Sequence, residues 1–291
     1  MNRFLALIGA LLLAFISVSS ACTAAPAEWI HFTLEPQHGG GADIRASFRN
    51  DDGQHGNNEW STGFRPAELA GLDLAGFGAE GARPLRFSVI REAGRLDCFG
   101  HGGESHAAGN CSFTADPNFA AELSRAGIGQ PTQEQAFGLM AVNAHRDLIA
   151  AIAEAHYPKP SIDDLMALSA LGVSRGYIAG MASAGYRPES IDALIQFKAL
   201  DITPDWIAQF GRIGYADLPA EQLIQLKALD ITPEFIASFD RIGYRHLPVD
   251  KLVQLKAMGI TPNDVRRIAA VDSGLPPVDK LVELKAFNQG R

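Results

Sequence analysis

The sequence predicts an α+β protein: a small antiparallel β domain followed by an α-helical solenoid of 29-residue helix-turn-helix repeats. Three observations carry this. Apolar and polar residues alternate through segments between residues 28 and 127. From residue 128 onward apolar residues recur at helical spacing instead. The string KALDITP, at Lys198, returns at Lys227 and, as KAMGITP, at Lys256. A fixed step of this size means stacked supersecondary units.

The chain opens on a different pattern. Arg3 precedes an apolar run from Phe4 to Ile16, and small residues dominate from Ser17 to Ala27. That is the order of a secretory signal peptide. The run of 13 residues is shorter than the roughly 20 that span a bilayer, and no second run of that length follows. The expectation is a periplasmic or extracellular protein with residues 1–27 as signal and no transmembrane segment in the mature chain. Two processing sites compete. Ala25-Pro26-Ala27 has small residues where cleavage before Glu28 needs them. Ser19-Ser20-Ala21-Cys22 resembles a bacterial lipobox, with Ser19 where Leu is usual, and would make Cys22 the lipid-bearing residue of an envelope-anchored protein.

Of the three cysteines, Cys22 is then removed or acylated, which leaves Cys98 and Cys111. Two thiols in one small exported domain usually bridge. A free pair or a two-cysteine metal site is the alternative.

Residues 28–127 read as the β domain. Ile30, Phe32 and Leu34 alternate with polar positions, as do Ile44, Ala46 and Phe48, then Leu85, Phe87 and Val89. Leu96 with Cys98, and Cys111 with Phe113, continue the pattern. Period two argues half-buried strands. HGGGAD, NDDGQHGNNE and EAGR mark turns, and a helical patch from Pro66 to Leu74 interrupts the strands. If a hairpin pairs Cys98 with Cys111, Leu96 faces Phe113 on the same side, so burial and register agree on a cross-strand bridge.

Residues 128–291 read as about five and a half repeats. Tyr157, Tyr186, Tyr215 and Tyr244 keep the 29-residue step, as do Leu165, Leu194, Leu223, Leu252 and Leu281, and Lys198, Lys227, Lys256 and Lys285. Each unit is two short helices. In residues 215–243, Leu223, Leu226 and Leu229 form one apolar stripe. Thr232 is a good N-cap, Pro233 suits the first helical position, and Glu234 favours the positive end of the helix dipole. Phe235, Ile236 and Phe239 form the second stripe, and Gly243 can end the helix in a left-handed conformation. KALDITP is therefore first a structural device: a helix end, a tight turn and the next helix start.

Composition excludes nucleic acid as a partner. Without Arg3 there are 24 cations against 33 anions. Residues 28–127 hold 8 Arg, no Lys and 14 acidic residues. Neither part has the basic excess that phosphate backbones require.

Motifs for chemistry are weak. His101, Glu104 and His106 invite a metal reading, but there is no HExxH, and a solvated hairpin tip is the plainer account. NDDGQHGNNE lacks the alternating acidic spacing of a calcium loop. HGGGAD opens no helix and has no Lys, so it is no phosphate cradle. No Gly-x-Ser-x-Gly elbow occurs. Tyr177, Trp206 and Phe235, one per unit, read as core. No metal, cofactor or catalytic residue is expected. One surface feature remains: Gln196, Gln225 and Gln254 recur beside Lys198, Lys227 and Lys256. Stacking would align them into a stripe that fits a protein partner; recent duplication of idle positions is the competing account.

The Gly-Tyr, Leu-x-x-Leu and Ile-Thr-Pro-Glu-Phe-Ile motifs, with VIREAGRLDCFG before them, resemble those of exported bacterial proteins of unknown function. They are also similar to the extracytoplasmic C-terminal regions of some BlaR-type antirepressor metallopeptidases. The resemblance covers roughly residues 80–291. The peptidase part, with its membrane helices and HExxH, is absent, so no catalytic residue carries over. It implies a non-enzymatic interaction module, accessory to an envelope signalling or proteolytic system. An extracytoplasmic hydrolase with its site in the β domain, and a structural envelope lipoprotein, are the alternatives.

Overall fold

A computed structural model of the chain describes residues 30–36, 44–50, 58–272 and 274–289. The expected signal peptide, Cys22, the HGGGAD turn and most of the NDDGQHGNNE loop lie outside the described residues. The fold is mixed α+β, with an antiparallel sheet in the N-terminal half followed by helices.

The strands are β1 (Ile30–Pro36), β2 (Ile44–Asn50), β3 (Asn58–Phe64), β4 (Arg83–Arg91), β5 (Gly94–Gly103) and β6 (His106–Ala115). They form one six-stranded sheet in the order β3-β2-β1-β6-β5-β4. Successive side chains point to opposite faces of a strand, so the alternating apolar residues collect on one side. Ile30, Cys111, Cys98 and Phe87 make one row across four strands, and in the next Phe32 faces Phe48, which in turn faces Trp60. Beside Phe32, Gly109 faces Gly100. A Cβ on Gly109 would lie 2.2 Å from the Phe99 carbonyl oxygen and 2.8 Å from the Phe32 ring. The two glycines leave a trough, and the Phe32 ring lies over it, meeting Phe87 edge-on at 5.0 Å.

Two local expectations are corrected. The helical patch over Pro66–Leu74 is only a 3₁₀ turn at Pro66–Glu68, and the first α-helix, α1, is Leu74–Gly78. Gly71 sits at φ 84°, and Ala70 exchanges two backbone hydrogen bonds with Ser88 of β4. Pairing with a strand edge overrides helical spacing there. The solvated hairpin tip expected around His101, Glu104 and His106 is also mostly strand. Both strands run on until only Glu104 and Ser105 form the turn, at φ 53° and 63°. Two consecutive positive φ values match the twist of a tight hairpin.

Twelve further helices follow among the described residues: α2 (Pro117–Arg125), α3 (Gln133–Ala141), α4 (Arg146–Glu154), α5 (Ile162–Ala170), α6 (Arg175–Ser183), α7 (Ile191–Ala199), α8 (Pro204–Arg212), α9 (Ala220–Ala228), α10 (Pro233–Asp240), α11 (Val249–Ala257), α12 (Pro262–Asp272) and α13 (Val278–Gln289). Their boundaries follow local chemistry. Asp116, Ser174, Thr203 and Thr232 accept amide hydrogen bonds at the starts of α2, α6, α8 and α10. Thr132, Ser161 and Ser190 do the same for α3, α5 and α7. Positive φ follows the odd-numbered helices α3 to α11 at Asn143, Gly172, Asp201, Asp230 and Gly259. It follows the even-numbered ones from α2 to α10 at Gly127, His156, Gly185, Gly214 and Gly243. Glycine or a short polar side chain at most of these places tolerates that conformation.

Helix α3 packs on α5, α5 on α7, α7 on α9, α9 on α11 and α11 on α13, while α4 packs on α6 and α6 on α8. Within one pair, α5 and α6 are bent by 86°. No single helix is long and apolar enough to cross a membrane among the described residues. One continuous core runs from Ile30 in the sheet to Leu194 in α7. Three smaller clusters then follow in chain order, around Phe197, Phe210 and Phe239.

Candidate functional site

Cys98 and Cys111 face each other on β5 and β6 and are joined in a disulfide. Leu96 pairs with Phe113, two residues along. The cysteines are 4% and 0% exposed. A thiolate attacking from solvent cannot reach such sulfurs, so the bridge is a staple between two strands.

His101, Glu104 and His106 lie at the far end of the same hairpin. Glu104 donates its amide to the Ala79 carbonyl and Ser105 to that of Phe77, which ties the tip to α1. The His106 Nδ1 lies 3.0 Å from the Glu104 carbonyl oxygen. Beside the tip is an open cleft of about 590 Å³, lined among others by Thr33, Glu35, His101 and His106. Thr33 faces Ala108, and Ala108 faces His101, so these side chains share the sheet face opposite the core. No group of three or more His, Cys, Asp or Glu among the described residues is arranged to hold a metal.

The repeated lysines have specific places. The Nζ of Lys198 lies 4.9 Å from the Tyr177 ring centroid, Lys227 5.2 Å from Trp206 and Lys256 5.1 Å from Phe235. Each lysine near the end of an odd-numbered helix therefore covers the aromatic near the start of the even-numbered helix before it. Such contacts contribute roughly 0.5–1 kcal/mol at exposed sites. Lys256 also donates to the Asp230 carbonyl at 2.7 Å. Gln196 is exposed, while Gln225 and Gln254 are half-buried. Gln225 is 3.4 Å from Glu221, and Gln254 3.4 Å from Lys251.

Three tyrosines act as donors between successive helix pairs. Tyr177 donates to the Ile202 carbonyl at 2.7 Å and Tyr215 to that of Leu247 at 2.8 Å, and Tyr244 donates to that of Pro276. Burial pushes the Tyr215 hydroxyl up to about 12, with the Asp240 carboxylate adding to it. It stays protonated at neutral pH and keeps its hydrogen bond.

Sequence reasoning missed the most heavily connected cluster. At the β4–β5 turn, Arg91 Nη1 donates to the Met140 and Ala141 carbonyls, 2.8 and 2.6 Å away at the end of α3. Its guanidinium lies 5.3 Å from the Trp60 ring centroid and 5.2 Å from that of Phe64. Desolvation lowers its pKa, with Glu68 opposing. The next residue, Glu92, accepts from the Arg146 amide at 2.8 Å, at the start of α4. Partial burial pushes the Glu92 carboxyl up. Hydrogen bonds from the Arg146 amide and His145, with their charges, outweigh burial and hold it below the ordinary value. Adjacent residues of opposite charge thus serve the negative end of one helix and the positive end of the next. Arg146 extends the cluster to Glu122 of α2 at 2.9 Å. The only sequence signal was the pair Arg91-Glu92 in a turn; its partners lie about fifty residues away.

No protein-family model and no curated protein matches this chain.

Proposed function

We propose that the protein is an exported, non-enzymatic interaction module, accessory to an envelope signalling or proteolytic system, and that its helical half is a solenoid of 29-residue hairpins. The observation that supports this best is the recurrence of helix ends. Asp116, His145, Ser174, Thr203 and Thr232 precede successive even-numbered helices, and positive φ returns at the same interval. Solenoids of this kind bind partners along an extended face. Here that face would carry Gln196, Gln225 and Gln254, beside lysines whose ammonium groups are already oriented over aromatic rings. Export rests on the N-terminal pattern of charge, apolar run and small residues, and a lipid on Cys22 would instead make the protein an envelope lipoprotein.

The test is deletion of residues 215–243, which rejoins Gly214 to Tyr244 in register. Near-neighbour stacking predicts a folded product with unchanged helicity per residue by circular dichroism. An unfolded product would defeat the solenoid. Replacing Gln196, Gln225 and Gln254 together by Glu should weaken capture of an envelope partner without unfolding. Unchanged capture would assign the glutamines to duplication.

A second reading draws on the cleft beside the β5–β6 turn. Two imidazoles and the Glu35 carboxylate around one opening are the ingredients of general acid–base chemistry. An extracytoplasmic hydrolase would place its site there, and turnover surviving His101→Ala with His106→Ala would count against it.

A further inference from the structure

Tyr186, Tyr215 and Tyr244 hold one position of three successive helix pairs. Tyr215 and Tyr244 each close the joint to the next pair by donating to the Leu247 and Pro276 carbonyls. The Tyr186 hydroxyl donates to no protein group among the described residues. Its ring stacks instead on Phe197 of α7, with centroids 5.3 Å apart. Leu226 and Leu255 hold the Phe197 position in the next two pairs. Burial pushes the Tyr186 hydroxyl up to about 12, with the Glu189 carboxylate adding to it, so it keeps its proton at neutral pH.

A cavity of about 100 Å³ opens at this joint, lined among others by Ala184, Gly185, Tyr186, Gly211, Asp217 and Leu218. The next joint shows what fills the same place. There Ile213 stands for Ala184, Asp240 for Gly211 and His246 for Asp217. The His246 ring centroid lies 6.1 Å from that of Tyr215, and a Cβ on Gly214 would lie 2.6 Å from the His246 Cε1. In the joint after that, a Cβ on Gly243 would lie 3.2 Å from Leu275, which holds the His246 position. A Cβ on Gly185 or on Gly211 would meet nothing within 4 Å. The backbone is alike, with Asp217 at φ 55° and His246 at φ 51°. One place is thus filled twice by the chain's own side chain and left open once.

We propose that this cavity binds a small planar nitrogen heterocycle of the imidazole type, in the place that the His246 ring takes one joint later. Tyr186 donates to the unprotonated ring nitrogen, and the Asp217 carboxylate accepts from the ring N–H. Ala184, Ile207 and Leu218 offer the ring carbons an apolar lining. A cavity of roughly 150 Å³ holds benzene, so the smaller space here suits a five-membered ring. A purely aliphatic group of that size would leave the phenol and the carboxylate unmatched, which costs binding wherever polar groups are covered. The imidazole group arrives either as a free small heterocycle or as the histidine side chain of a polypeptide. The proposal takes the correspondence of the joints from the solenoid reading and nothing from the reading of export or of a partner.

Amide NMR of the full chain titrated with imidazole, at a constant, slightly alkaline pH where the probe is mostly neutral, tests this. The expected result is a saturable shift of the Gly185 and Tyr186 signals, with a Kd on the order of 1 mM, while Gly214 and Gly243 stay still. Asp217→His supplies the ring that the next joint carries and should weaken binding at least tenfold. Ala184→Ile copies the next joint without adding a ring or a charge and should do the same. Absence of a saturable shift would overturn the proposal, as would equal shifts at Gly185, Gly214 and Gly243, or unchanged binding by both folded variants. N-acetylhistidine methylamide separates the two sources. Tighter binding than imidazole assigns the site to a histidine side chain, and its exclusion while imidazole binds assigns it to a free heterocycle. The 215–243 deletion brings His246 to the Asp217 position, so a folded product should have lost the site. If it folds and still binds imidazole, the cavity proposal fails and stacking stands. If it unfolds, the stack reading has failed, and the two point variants decide the cavity by themselves.

Discussion

Phe32 and Phe239 are both 1% exposed or less, yet they are buried by different means. Phe32 on β1 lies over Gly109 of β6 and against Phe87 of β4, so its neighbours come from strands far along the chain. Phe239 in α10 meets Phe235 and Tyr244, and its cluster extends only to Leu281. The sheet must close long loops before any of its burial is realised, which is slow and all-or-none. The later helices gain their burial from the next one or two elements. The contrast teaches where damage should spread. A defect in the sheet should reach every element sharing its core, to α7, and a defect near α10 should stay local. The Arg91–Glu92 turn ties the sheet to α3 and α4 within that shared core.

The largest effect should come from the disulfide. Replacing Cys98 and Cys111 together by Ser removes a constraint on 13 residues of separation, worth roughly 3 kcal/mol in the chain-entropy model. The melting temperature should fall by on the order of 10 °C. Hydrogen exchange should lose protection in β5, β6 and α2–α5 while α10–α12 keep theirs. Equal loss along the whole chain would erase the contrast between the two regions.

The Arg91–Glu92 turn should come next. Arg91→Ala strands two carbonyls at the end of α3 and should cost roughly 2–3 kcal/mol. Lysine should not restore it, because it lacks the planar group that lies over Trp60 and Phe64 while bonding two oxygens. For Glu92 the folded-state pKa is depressed. Its contribution is therefore present above the ordinary glutamate value of 4.5 and is lost as pH falls through the folded value. Urea titrations of the parent and Glu92→Gln should differ at neutral pH and converge in strong acid. A difference that grew on acidification would contradict the assignment.

The smallest effect tests the local regime. Thr232→Ala removes the hydroxyl that accepts the Phe235 amide and should cost about 1 kcal/mol. Loss of exchange protection should be confined to α10 and its immediate neighbours, and Ser at 232 should restore most of it. Protection lost in the sheet would show that the helices are less independent than their separate cores suggest.

The amino-acid sequence by itself determined what depends on neighbours within about a dozen residues. Thr232, Pro233 and Gly243 mark their helix because capping and left-handed turns are local chemistry. The pairing of Cys98 with Cys111 could be read because alternation sets the side-chain face and one hairpin turn sets the register. The extra strand β3 was missed because Asn-Glu-Trp-Ser-Thr-Gly-Phe is polar on one side and adjoins a turn-rich segment. The helix over Pro66–Leu74 failed because the edge of β4, distant in sequence, competes for the Ala70 backbone. Only the tertiary structure decided that Lys198, Lys227 and Lys256 cover aromatic rings, and that His101 and His106 border a cleft with Glu35. It alone set Arg91 and Glu92 on two helix ends and left a cavity beside Gly185 where His246 fills the next joint. The physical reason is the same in each case. Burial and polar pairing are set by what another part of the chain brings to the same place, and no local pattern of residues carries that information.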